Sequence, residues 1–226
     1  MNGTNFLTDY LVSSLHLSVP LAFAALGGLW SERSGVLNIG LEGMLLSGAF
    51  VSAAIAVATG SAWLGIWGAI ALGALVGLLH GFSVRHPKGD QVVSGLAINL
   101  AAAGLTSFWA RILFASGEAS QLPAIEPLQI PWLSQIPLLG RAIFQQDTLF
   151  YLLLLLVGLS TYTLFYTSVG LSLRSVGEAP KAADTAGISV ALVRYGAVIL
   201  CGALAGLGRS LSASPWITCK FCRGHG

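Results

Sequence analysis

Six apolar runs, each close to the length of a membrane span, leave this chain few folds to adopt. They cover residues 10–30, 41–59, 62–84, 92–114, 149–167 and 191–207. A helix needs about 20 mostly apolar residues to cross the hydrocarbon core of a bilayer. Lipid offers no hydrogen bonds to exposed backbone, so such runs must be helices or a closed barrel, and the strict alternation of a barrel strand is absent. Composition agrees: 55% of residues are hydrophobic and 9% charged, against about 25% charged in soluble domains. The expectation is an all-α, polytopic integral membrane protein with about six transmembrane helices. The first run is the least regular, holding His16, Pro20 and several serines. It lacks the basic flank of a cleavable secretory signal, so it is expected to remain as a span.

Lysines and arginines near span ends set the orientation. Threading six spans in turn puts Arg33, Arg85, Lys88, Arg174, Lys181 and Arg194 on one side and only Arg111 and Arg141 on the other. The first group is then cytoplasmic and the N-terminus lies outside. A net charge of +2 with scattered Lys and Arg provides no basic stripe for nucleic acid. Three cysteines do not make a disulfide framework.

Small residues recur every four positions in two spans: Gly48, Ser52, Ala56 and Gly60 in the second, and Gly65, Ala69, Gly73, Gly77 and Gly81 in the third. Such rows let helix backbones approach closely in lipid. They read as intramolecular packing, with self-association as the alternative. Trp30, Trp63, Trp109 and Trp132 fall near span ends, where an interfacial aromatic belt belongs. The outer connection, 115–148, carries Pro123, Pro127, Pro131 and Pro137, which disfavour a continuous helix. It is expected to form an external cap or to help receive a partner on the outer side.

Between the last two runs lies a polar, small-residue interval, 168–190. In it, Gly177-Glu178-Ala179-Pro180 reads as a turn opening a helix, with Pro180 at the first helical position. Lys181, Ala182, Ala183, Asp184, Thr185 and Ala186 then make fewer than two turns before Gly187 stops them. So short a helix is unstable alone in water. It needs a surface to dock on, and between two spans that surface is expected to be a partner protein.

This interval resembles the cytoplasmic coupling loop of ABC-transporter permeases in the branch serving nucleosides, simple sugars and branched-chain amino acids. Ser34-Gly35-Val36-Leu37-Asn38-Ile39-Gly40-Leu41-Glu42-Gly43-Met44 resembles a second hallmark of that branch, closest to its nucleoside permeases. Gly89-Asp90-Gln91-Val92-Val93-Ser94-Gly95-Leu96-Ala97-Ile98-Asn99 is similar to a third. The motifs stand in family order, and the likeness runs from about the first span to Gly208, within a transmembrane domain expected over residues 1–208. The resemblance implies a permease subunit in a bacterial inner membrane that imports nucleosides or related polar solutes by alternating access. It implies a separate ABC ATPase acting on the coupling loop, a second permease subunit and an extracytoplasmic solute-binding protein. The coupling residues would be Gly177, Glu178, Ala179, Pro180, Lys181, Ala182, Ala183, Asp184 and Gly187.

Three polar residues at membrane depth are candidates for the translocation path. Asn38 and Glu42 are four apart and share one face if the segment is helical. They border a path at a helix broken by Gly35, Gly40 and Gly43, or Glu42 simply favours the positive end of a helix starting at the interface. Asn99 contacts a solute or bonds a neighbouring helix. Asp90 and Gln91 read as cap and interface residues, and His16 and His80 as isolated structural ones. Glu178 pairs with a basic group of an ATPase or is a solvated charge.

No Gly-x4-Gly-Lys-Ser/Thr phosphate loop, His-Glu-x2-His zinc motif or Gly-x-Ser-x-Gly nucleophile elbow occurs. The chain is therefore expected to be no enzyme, to need no cofactor and to draw its energy from elsewhere. An ion-coupled secondary transporter is the alternative, although it would normally hold more ionisable residues in its spans than Glu42. Residues 209–226 depart from the family pattern. Resembling permeases continue with another glycine, small apolar residues and further membrane helices, whereas here Arg209 follows Gly208. Arg209, Lys220 and Arg223 would also fall on the outer side, against the charge bias. The expectation is a frameshifted tail on an incomplete importer domain, and with it the alternative of an inactive, truncated permease. Cys219, Cys222 and His225 supply three metal ligands without a fourth, so no metal site is expected.

Overall fold

The computed structural model describes residues 3–85, 90–113 and 148–210. Among them are eight helices and no strand: α1 Gly3–Arg33, α2 Leu41–Thr59, α3 Ala62–Arg85, α4 Gln91–Leu113, α5 Thr148–Tyr166, α6 Ser168–Glu178, α7 Pro180–Thr185 and α8 Val190–Arg209. Six of these, α1 to α5 and α8, are long and apolar enough to cross a membrane. The protein is thus a multi-pass, all-α membrane protein. The expectations for the outer connection, Trp132 and the tail beyond Ser210 lie outside the described residues.

Helix α8 is the axis of the bundle and packs on α1, α2 and α3. Its contact with α3 is made backbone to backbone. A Cβ added at Gly73 or at Gly202 would collide with the other's carbonyl oxygen, and one at Gly206 with that of Ala69. The α3 row therefore packs within the chain, as its spacing predicts. Its counterpart on α8 (Val198, Gly202 and Gly206, also four apart) was equally visible in the sequence.

In α2, Gly48 meets Gly206, and Ser52 donates to the Ser210 carbonyl at 2.8 Å. Gly60 does not join that row. It ends α2 in the left-handed conformation, with nothing within reach of an added Cβ.

Val19, Phe23 and Leu26 of α1 pack with Leu149 and Leu153 of α5 and Leu204 and Leu207 of α8. Phe23 is fully buried. Trp30 is half-buried and donates to the Ser160 hydroxyl at 3.2 Å, so it ties α1 to α5 rather than standing in an exposed belt. Trp63 and Trp109 are exposed, as the belt requires. Helix α4 buries only Gly95 and Ala102 and lies at the margin of the bundle.

Candidate functional site: the α1–α2 link and the segment that rests on it

The segment connecting α1 to α2, 34–40, is not helical. Gly35, at φ +80°, adopts a left-handed conformation that few side chains tolerate. Gly35 N–H donates to Glu32 O and Val36 N–H to Ser31 O, the paired bonds that close a helix on a left-handed residue. The backbone groups of such a break need partners outside the helix ladder. Here side chains from several helices supply them.

Ser31 Oγ donates to the Val36 carbonyl at 2.8 Å, and Arg194 Nε of α8 to that of Ser34 at 3.2 Å. Gln91 Oε1 of α4 accepts the Leu37 N–H at 2.9 Å. His80 is fully buried, with Nε2 3.4 Å from the Leu37 carbonyl and Nδ1 3.2 Å from Ser94 Oγ. A carbonyl only accepts, so Nε2 carries the proton and Nδ1 accepts from the serine.

Asn38 and Asn99 complete the set. Asn38 Oδ1 accepts the Gly40 N–H at 3.0 Å, while Nδ2 points at Cys201 Sγ at 3.2 Å and Met44 Sδ at 3.5 Å. Asn99 of α4 takes the Gly43 N–H at 2.7 Å on Oδ1 and donates Nδ2 to the Ile39 carbonyl at 3.0 Å. Gly43 lies against the Asn99 backbone, which allows this close seating.

One expectation needs correction. Asn38 and Glu42 do not share a helix face: Asn38 precedes α2, in the link, and is buried, whereas Glu42 is exposed in the first turn of α2. The left-handed Gly35 and the Asn38–Gly40 turn interrupt the helical period on which that pairing depended. Asp90 caps locally, its carboxylate accepting the Val92 N–H at 2.9 Å. His80 is structural but not isolated. His80 and Arg194 were missed as site residues because their partners are backbone carbonyls far away in sequence.

The coupling candidates rest on the other side of this link. Residues 168–178, read from sequence as a polar interval, form α6, whose buried face is Gly170, Leu173 and Val176. Thr167 opens it by accepting the Gly170 N–H. Gly177 packs so closely on α1 that an added Cβ would strike the Arg33 carbonyl. After the break at Ala179, α7 begins at Pro180. It ends at Gly187, φ +84°, where Ile188 N–H reaches Ala183 O and Gly187 N–H reaches Asp184 O. Only Ala183 of this short helix is buried, while Glu178, Ala179, Lys181, Ala182, Asp184 and Gly187 are exposed.

A family described as the branched-chain amino acid transport system permease component matches residues 10–214. The chain belongs to that family. The permease is 39% identical to the guanosine ABC transporter permease protein NupQ of Bacillus subtilis, over 95% of its own length and 70% of that relative's. It is 38% identical to the nucleoside ABC transporter permease protein NupC of Lactococcus lactis, over 94% of itself and 69% of the relative. The putative glucose ABC transporter permease protein TsgC13 of Haloferax volcanii is 37% identical over 89% of the permease and 61% of the relative. No solved structure matches it. A permease of this family is a transport component rather than a catalyst, and it works with the ATPase and other components of an ABC system.

Proposed function

We propose that this permease imports nucleosides, with α7 and the end of α6 as the surface on which a separate ATPase acts. The observation that carries the reading is the α6–α7 segment itself. The first of its two helices ends on Glu178, and the six-residue helix that follows, stopped at both ends, leaves Lys181, Ala182 and Asp184 exposed while Gly177 presses on the backbone of α1. A helix this short holds little energy of its own, so a partner that grips it moves α6 and the link together. The names of the two bacterial relatives support nucleosides as the solute, and the charge bias of the spans supports a cytoplasmic position for α7. A second permease subunit completes the path, and an extracytoplasmic solute-binding protein delivers to it. Asn38 and Asn99 serve the path by holding the link, and Glu42, exposed beside it, is the residue free to meet solute.

The test is uptake of radiolabelled guanosine by cells producing this permease with its ATPase. Expected is saturable uptake, competed by unlabelled nucleosides and not by glucose, and lost when the ATPase cannot hydrolyse ATP. Competition by glucose alone would replace nucleosides with sugars, the reading favoured by the archaeal relative's name. Uptake that survives loss of the ATPase but collapses with an ionophore would replace ATP with an ion gradient.

A further inference from the structure

Beside α7 lies a cavity of about 530 Å³ that shares Pro180, Lys181 and Asp184 with the coupling segment. It opens between α7, the start of α8, the end of α3 and the α1–α2 link. Its floor is apolar, formed by Val36, Val84, Val190 and Val198, and its polar wall holds Lys181, Asp184 and Arg194. Arg194 spends only Nε on the Ser34 carbonyl. Lys181 makes no hydrogen bond or ion pair among the described residues, nor do the terminal guanidinium nitrogens of Arg194. Ser189, at the first turn of α8, also lines the cavity and makes no side-chain cap to that helix. The unsatisfied N–H groups of this 20-residue helix thus add positive potential to the two cations.

We infer that this cavity binds the headgroup of an anionic phospholipid, a phosphodiester bearing hydroxyls, of which phosphatidylglycerol is the simplest. Two cations and one carboxylate leave a single positive charge, which matches the single negative charge of a phosphodiester. Arg194 and Lys181 donate to the phosphate oxygens. Asp184 accepts from the glycerol hydroxyls. The partly exposed valines of the lining, Val84 and Val190, receive the first methylenes of the acyl chains, which an inorganic phosphate or a soluble nucleotide does not possess. Basic pockets between helices at the cytoplasmic side are where anionic headgroups bind. The inference takes from the proposed function only the side of the membrane on which α7 lies.

The test measures lipid retained by the full-length chain, purified in detergent, delipidated, re-exposed to phosphatidylglycerol or phosphatidylcholine, and examined by native mass spectrometry. Expected is preferential retention of phosphatidylglycerol, weakened roughly fivefold by Lys181→Gln, the effect of one cation near a headgroup. Ala191→Phe, which narrows the cavity without changing charge, should also weaken retention. Circular dichroism of each variant establishes that the helices persist. Equal retention of both lipids, or undiminished retention by Lys181→Gln, would overturn the inference. So would displacement of phosphatidylglycerol by millimolar inorganic phosphate, which would mark a site for soluble phosphate instead. Retention needs neither ATP nor uptake, so its failure and a failure of the coupling reading are separately visible.

Discussion

Gly177 and Gly35 touch through their backbones: a Cβ built on Gly35 would lie 3.3 Å from Gly177 Cα and 3.4 Å from its carbonyl oxygen. Through this contact the end of α6 bears on the left-handed turn that closes α1. Gly177→Ala, whose Cβ would strike the Arg33 carbonyl just before that turn, should force the two apart and destabilise the protein by about 1–3 kcal/mol, the usual cost of overpacking. Thermal unfolding in detergent measures it. Gly158→Ala, on α5 where an added Cβ meets nothing, should leave the midpoint nearly unchanged.

Gly187→Val isolates the stop of α7. Nothing lies near its Cβ, so the whole penalty is the left-handed backbone at φ +84°, roughly 1–2 kcal/mol for a side-chain-bearing residue. The variant should insert normally and hydrolyse ATP with its partner, yet lose solute uptake. Parallel ATPase and uptake assays read this directly, and normal coupled uptake would remove α7 from the coupling role.

Asn99→Leu leaves the Gly43 N–H and the Ile39 carbonyl without their partner. Each orphaned group costs about 1–3 kcal/mol. We expect a lowered unfolding midpoint and loosened packing of α4. Hydrogen exchange at Gly43, faster in the variant, would report that site specifically.

Lys181→Cys tests the orientation. The side chain is exposed, so a membrane-impermeant maleimide should label it in inverted vesicles and not in intact cells. Labelling from outside would reverse the assigned topology.

Much of this arrangement was legible because lipid punishes deviation so heavily. Apolar runs of span length can only be helices, and the row from Gly65 to Gly81 announced a backbone contact before its partner was known. The stop at Gly187 was legible too, since glycine after a short helical segment has a local meaning. What escaped depended on distance. His80 reaches Leu37 across 43 positions and Arg194 reaches Ser34 across 160, and neither carbonyl carries a mark in the sequence. Helix α6 escaped for another reason: its buried stripe of Gly170, Leu173 and Val176 is too short and too glycine-rich to stand out beside its polar neighbours. Asn38 and Glu42 were paired wrongly because spacing predicts a shared face only while the helix continues.

The axial helix α8 is also the last described helix to be synthesised. Until it is made, Gly73 and Gly77 of α3 have no backbone to rest on and α1 lacks its main packing partner, although α2 and α3 can already pack on each other. The α2–α3 pair must wait in lipid with Gly73 and Gly77 open to whatever neighbour drifts past. Seating α8 is therefore a step that follows the pairing of α2 and α3. The small residues that make the finished bundle tight also make the unfinished one vulnerable to mispairing.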